Sequence, residues 1–363
     1  MKLFKFLLIA ITGIVFLYSC SNDDDGVLVI DPDPDPEEMP LPFENGLLVT
    51  NQGPVATGFG SVSFINAGLT TATNDIFQSV TNDNLGNSVQ SMEFVGDLAY
   101  IVANGSNRIT VVNRFTFEEV ARIETGLENP RYFIEANGKG YVSNWGDPSV
   151  STDDYIAVID LATNAVTGTI PVEEGPDRML FNRFNIYVIN TGGVNINNTV
   201  SVIDPEVDLV LSTINVGEAP NSLQLDGDGD LWVLGGGSPV STGNETMGTL
   251  TRINPANNQV INIFIFGMQD HPDYLNIVGN DLYYYLDGSV FKTNTSNFSI
   301  PATAELSGLD LFNMFLLNNT TLIGCNAGNS VNNGTLEIYN LQDNTLTTML
   351  NVGIIPGNVY VNP

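Results

Sequence analysis

The runs YIAVID at 155–160 and TVSVID at 199–204 are two copies of one pattern: a short β-branched, apolar stretch that closes on an acidic or amide residue. The same pattern recurs as SVSFIN (61–66), RITVVN (108–113), TLTRIN (249–254), SVFKTN (289–294) and TLEIYN (335–340). The closing Asn or Asp residues fall 47, 47, 44, 50, 40 and 46 residues apart. A period of about 40 to 50 residues is that of four-stranded propeller blades. Each run is preceded by a second strand signal rich in Val, Ile and aromatics: LLVTN (47–51), YIVAN (100–104), GYVSN (140–144), IYVIN (186–190), LWVLG (231–235), LYYYL (282–286) and LIGCN (322–326).

Working outward from those hairpins, SMEFVGD, YFIEANGK, MLFNRF and SLQLDGD supply a strand before each pair, and EEVARIETG, AVTGTIPVEEG and VLSTINVGEA a strand after it. Two of the turns, Asn104-Gly105 and Asp287-Gly288, have the chemistry of tight hairpins with positive φ. The first repeat begins at its second strand, and the chain finishes with Val359-Tyr360-Val361 after Pro356-Gly357, where a first strand would start. The C-terminus is therefore expected to donate the missing strand of blade one and close the ring, which removes its exposed edges. The fold expected is an all-β, seven-bladed β-propeller over 42–363. A parallel β-solenoid also repeats, but its coils are shorter and do not pair strands in fours.

Segments such as AVIDLATNAVTGTIPVEEGPDRM and VIDPEVDLVLSTINVGEAPNSL resemble YVTN-type propeller repeats. Together with the start GLLVTNQG and the C-terminal closing strand, they make the chain similar to secreted Bacteroidetes propellers of the DUF5074 and YncE-like group. That resemblance covers nearly all of 42–363. It implies a surface lipoprotein that captures a small nutrient or cofactor, a cobalamin-like ligand included, and hands it to a TonB-dependent outer-membrane transporter. A protein- or glycan-interaction scaffold without a small-molecule ligand is the alternative, and a lactonase- or lyase-type enzyme is the third reading.

The first twenty residues, MKLFKFLLIAITGIVFLYSC, run from Lys2 and Lys5 through an apolar stretch to Cys20. The apolar stretch is short of the ~20 residues a bilayer span needs, and it reads as a signal peptide over 1–19. Leu17-Tyr18-Ser19-Cys20 resembles a bacterial lipobox, which implies lipidation of Cys20 and an outer-membrane anchor. The acidic Ser21-Asn-Asp-Asp-Asp25 that follows is similar to the export signal of surface-exposed lipoproteins. Asp31-Pro-Asp-Pro-Asp-Pro-Glu-Glu38 alternates proline with like charge, so it suits a stiff tether within 20–41 rather than a helix or central strand. If Cys20 carries lipid, Cys325 is the one cysteine left, and its apolar strand marks it as a core residue.

Charge excludes a class of partner. The chain carries 41 acidic against 11 basic residues, a formal charge of −30. Beyond the leader the basic residues are Lys139, Lys292 and seven scattered arginines, too few and too dispersed to displace phosphate counterions, so no nucleic acid is expected.

In a propeller the loops joining second to third strands, and those joining blades, emerge on one face. The former are long at 52–60, 145–154, 191–198, 236–248 and 327–334, and long loops are where function concentrates. The blade connections carry a proline followed by polar residues: Pro130-Arg131, Pro176-Asp177-Arg178, Pro220-Asn221, His271-Pro272-Asp273-Tyr274 and Pro356-Gly357-Asn358. These would surround the central opening and offer hydrogen bonds to a ligand. Trp145, after Asn144, offers a stacking surface, and Asn190 holds the place of Asn144 in the next blade.

Catalytic and metal chemistry find little support. One histidine, His271, and one free cysteine cannot assemble a zinc, copper or iron site, and no nucleophile elbow precedes a helix. No cofactor is expected. Asp226-Gly-Asp-Gly-Asp230 has the look of a calcium loop, but Leu231 and Gly237 stand where an EF-hand needs glycine and glutamate. A hairpin turn is the simpler reading, with Asp226, Asp228 and Asp230 as a weak metal candidate.

Overall fold

The computed structural model describes residues 40–54 and 58–363. The signal peptide, Cys20 and the acidic tether up to residue 39 lie outside the described residues. Seven four-stranded antiparallel sheets make up the described chain, six of them built from consecutive strands. The seventh is blade one: Pro356–Asn362 pairs with Gly46–Asn51, which pairs with Ser61–Asn66 and then Ala72–Thr73. Leu48 opposes Tyr360 and Val49 opposes Val359, so the C-terminal strand closes the ring as the repeat requires. The first strands of all seven blades touch their neighbours in an unbroken circle around the axis.

The continuous apolar runs that define the repeat are strands buried on both faces. Leu98–Ala103 and Arg108–Asn113 bury nearly every residue, because each sheet packs face to face against the next blade. Outer strands such as Ala165–Pro171 are largely exposed and read as polar alternation. The core is accordingly a set of clusters between blades. In one of them Tyr100 of blade two stacks on Phe133 of blade three, ring centroids 4.5 Å apart, and Gly140 is bare because a Cβ there would sit 2.6 Å from the Phe133 ring.

A polar staple repeats below those clusters. The hydroxyl of Tyr100 donates to Asn164 Oδ1 (2.9 Å), that of Tyr141 to Asp208 Oδ1 (2.7 Å) and that of Tyr187 to Asn258 Oδ1 (2.8 Å). Each bond runs from a second strand to the outer turn of the following blade, where the acceptor has positive φ. The fourth copy of the tyrosine is Trp232, whose Nε1 donates instead to Asp226 of its own blade (2.8 Å).

Two local expectations change. Asn104-Gly105 does not form a two-residue turn: Asn104–Ser106 is a 3₁₀ turn and the positive φ falls on Asn107, because Asn104 and Gly105 donate their backbone N–H groups back to Ser88 and Asn87. Asp287-Gly288 does carry positive φ at both residues. The loop of blade four is shorter than 191–198, since its strands extend to Gly192 and from Ile196, which pair directly. Cys325 is fully buried, and burial pushes its thiol up to about 12, as befits a core residue.

Candidate functional site

Each first strand enters at the loop face, and six of the seven carry a register irregularity within their first residues, for example between Pro176 and Met179 and between Val89 and Ser91; in Asn313–Asn318 it falls at the far end, between Leu316 and Asn318. Such a bulge lets neighbouring residues turn toward the same space instead of alternating. The axis holds a cavity of about 230 Å³ lined by Glu93, Tyr132, Arg178, Gln224, Tyr274, Asn276, Asn313, Asn358 and Tyr360, with Met92, Ser222 and Phe315 among its other walls. Three expected residues, Arg178, Tyr274 and Asn358, therefore meet in one cavity although they lie in blades four, six and one.

Arg178 is the sole cationic side chain in that lining. Its guanidinium stacks over Tyr132 (4.8 Å to the centroid), and one Nη donates to Asn358 Oδ1 at 3.2 Å. Asn358 Oδ1 also accepts from Asn313, and its amide donates to Gln90 O (2.9 Å), which fixes the acceptor. Burial opposes the charge on Arg178, but Tyr132, Asp177, Tyr360 and Tyr274 outweigh it and keep the guanidinium protonated. Of its five N–H donors, one meets an acceptor among the described residues.

Glu93 lies two positions deeper along its strand than the level of Arg178, roughly 7 Å. Burial, reinforced by Glu135, raises its carboxyl to about 7, so near neutrality it is as much a proton donor as an anion. Tyr274 adopts φ 57, a left-handed conformation that a bulky side chain takes only when its surroundings impose it. Its ring lies tilted against Tyr285 (centroids 5.7 Å apart), and it lines the cavity. In blades three, four, five and one the left-handed residue stands instead directly before the proline, at Asn129, Gly175, Ala219 and Ile355.

The other expected residues take different places. Arg131 and Asp177 pair on the rim (3.5 Å), and Arg131 lies 4.3 Å over the Trp145 ring. Asn221 donates to Pro272 O (2.8 Å) and to Asp273 Oδ1 (2.7 Å), tying blade five to blade six, while burial lifts Asp273 to about 6. His271 Nδ1 lies 2.7 Å from Gly236 O, a loop contact outside the cavity. Asn144 and Asn190 are fully buried inside their blades: Asn144 bonds Val142 O and the Glu128 N–H, and Asn190 bonds Thr199 and Ser201. The Trp145 indole donates to Pro176 O (2.9 Å), the same bridge that Asn104 makes to Pro130 O and Thr191 to Pro220 O. Tyr132, Glu93, Gln224, Asn276, Asn313 and Tyr360 were not foreseen. The signal for Tyr132 was present, since it stands two residues after a proline, as do Arg178, Tyr274 and Asn358.

The weak metal candidate, Asp226, Asp228 and Asp230, has these contacts within the chain. Asp226 accepts the backbone N–H groups of Asp228 and Asp230 as well as the Trp232 indole, and Arg252 sits 2.6 Å from Asp230 and 3.7 Å from Asp226. The cation of this turn is a guanidinium from the chain itself.

A family model described as a domain of unknown function, DUF5074, matches residues 45–300. The chain belongs to this family. The matched span of the DUF5074 chain ends within blade six, and the ring is completed by residues beyond it. No curated protein matches the DUF5074 chain. Among solved structures it is similar to a quinonprotein alcohol dehydrogenase-like protein of Bacteroides thetaiotaomicron, at 13% identity and a TM-score of 0.64 over 88% of this chain and 79% of that one. It is also similar to a hydrazine synthase chain of Kuenenia stuttgartiensis (16%, TM-score 0.60, 86% of this chain and 98% of that one). A functionally unknown protein from Desulfotomaculum acetoxidans gives 14% and a TM-score of 0.63 over 87% and 98%. At such identities these likenesses show the DUF5074 propeller fold alone.

Proposed function

We propose that this DUF5074 propeller is a membrane-tethered receptor that holds a small molecule in its axial cavity by an anionic group, and that the bound molecule passes to a TonB-dependent outer-membrane transporter. One observation carries the binding reading: Arg178, kept charged in the cavity lining, spends a single donor on the side-chain acceptor Asn358. A guanidinium with free paired donors suits a carboxylate or phosphate, which it can hold by two parallel bonds. Asn313 and the ring of Tyr132 frame it, and neutral Glu93 deeper in the cavity can donate to a second acceptor on the ligand. The volume of about 230 Å³ is under the about 300 to 1,000 Å³ of drug-sized pockets, so the ligand is small, or a larger one such as a corrinoid inserts only a substituent. Anchoring and transfer rest on the lipobox-like ending at Cys20 and the acidic run after it.

Calorimetric titration with short carboxylates, phosphate esters, corrinoids, haem, siderophores and oligosaccharides tests the reading. Saturable binding of an anionic compound that is lost in Arg178→Met supports it. If neutral oligosaccharides alone bind, or none of the compounds does, the protein- or glycan-docking scaffold replaces it. A Cys20→Ala chain recovered from the soluble fraction instead of the membrane would test the tether.

A further inference from the structure

On the loop face, outside the axial cavity, a notch of about 110 Å³ separates the loops of blades three and four. Its walls are apolar: Trp145, Pro148, Val150 and Val194, the two valines being 41% and 54% exposed. Its polar lining is Asp154 and Glu174. Asp154 is only 4% exposed. Its Oδ1 accepts the Gly175 N–H (2.9 Å), while Oδ2 has no hydrogen-bond partner among the described residues. The adjacent Asp153 Oδ1 is buried without a partner as well.

Burial of a carboxylate is tolerated when it is paired or protonated. Here desolvation lifts Asp154 to about 6, with Asp153 and Glu174 adding to the shift and the Gly175 bond opposing it. Glu174 differs. Burial works against its charge, but the backbone of Gly193 and Asn195 and the Asn195 amide donate to it and hold its carboxyl below the usual range. No Lys, Arg or His among the described residues comes within 4.0 Å of Asp153, Asp154 or Glu174. Arg131 stacks on Trp145, pairs with Asp177 and does not line the notch. The notch therefore gathers negative charge behind an apolar vestibule and lacks its cation.

We propose that this notch binds an organic cation, a primary ammonium or guanidinium on a short apolar stem, with Asp154 and Glu174 as counter-charges and Val150, Val194 and the Trp145 indole around the stem. A hard metal ion fits less well, because it needs six or more oxygen ligands and the walls supply carbon. The cation is either a free amine or the side chain of a docked protein. The site stands apart from Arg178 and does not depend on what the axial cavity holds.

The test is titration of the purified protein at low ionic strength with n-butylammonium, butylguanidinium and the peptide acetyl-Gly-Lys-Gly-amide. Saturable binding is expected, at least tenfold weaker in Asp154→Asn and unchanged in Asp228→Asn, a turn residue outside the notch. Peptide binding tenfold tighter than n-butylammonium assigns the site to a partner protein's side chain, and equal binding assigns it to a free amine. Because Asp154→Asn could fold poorly, Val194→Lys gives a second reading: the new lysine should supply the cation itself, raise the melting temperature and suppress binding of all three probes. Absence of saturable binding, equal binding by Asp154→Asn, or a Val194→Lys protein that melts and binds as before would each overturn the proposal. Arg178→Met should leave these titrations unchanged, so loss of the axial-cavity reading stays distinguishable from loss of this one.

Discussion

The axial cavity and the notch between blades three and four have opposite deficits. In the cavity a guanidinium, Arg178, has no carboxylate within 4.0 Å among the described residues; in the notch a buried carboxylate, Asp154, has no cation within that distance. Trp145 lines the notch, and Arg131 stacks on its ring. The contrast teaches that net charge is a poor guide to a site. A chain of formal charge −30 places a cation, Arg178, in the lining of its axial cavity, and leaves Asp154 and Glu174 without a cation within 4.0 Å among the described residues in a notch with apolar walls.

The largest expected effect separates the two regions by pH. Glu93 sits in the cavity with its carboxyl raised from 4.5 to about 7, so between those values the folded protein holds a proton the unfolded chain has released. Its contribution is complete below pH 4.5 and is lost as pH rises through 7, a swing of about 3 kcal/mol. Glu93→Gln should thus match the parent in denaturant melts at pH 4.5 and exceed it by up to that amount at pH 8.5. A constant difference at both pH values would mean that burial does not hold the proton.

Next comes Arg178→Met, expected to weaken an anionic cavity ligand roughly thirtyfold, the worth of a charge-assisted bond pair, with n-butylammonium binding in the notch unaltered. Parallel loss of both would merge the two regions into one site. Trp145→Phe removes the indole donor from Pro176 O while keeping a ring under Arg131, and should cost about 1 kcal/mol in thermal melts. If ligand binding in the cavity survives unchanged, Trp145 serves as an inter-blade bridge rather than a stacking platform. Tyr141→Phe, on the staple outside both regions, should cost less, about 0.5 to 1 kcal/mol, because Asp208 keeps Lys139 at 2.7 Å. A change in either ligand's affinity there would show that blade packing and the sites are coupled.

Much of the molecule was legible in advance, and the reasons are local. Runs such as RITVVN and LYYYL read as continuous apolar strands because both their faces are covered by neighbouring blades, and their spacing counts the blades. The closing strand was legible because blade one lacks a first strand and the C-terminus has one to give. Asn144 and Asn190 looked like site residues because they stand at strand ends beside loops, yet their amides are used within the blade. Asp154 falls at the end of the 145–154 loop in sequence; the structure buries it, with Oδ1 on the Gly175 N–H.

The sequence by itself determined the seven-bladed ring, its closure, the unlike chemistry of inner and outer strands and the proline-marked mouth, because each follows from hydrophobic period and turn chemistry within one repeat. Only the tertiary structure decided which polar residues share a cavity. Arg178, Tyr132, Asn358 and Glu93 come from four blades, and their directions depend on register irregularities at the heads of those four first strands. A bulge reverses the in-and-out alternation that counting along a strand relies on, so which side chains face the axis is fixed by backbone pairing across the blade.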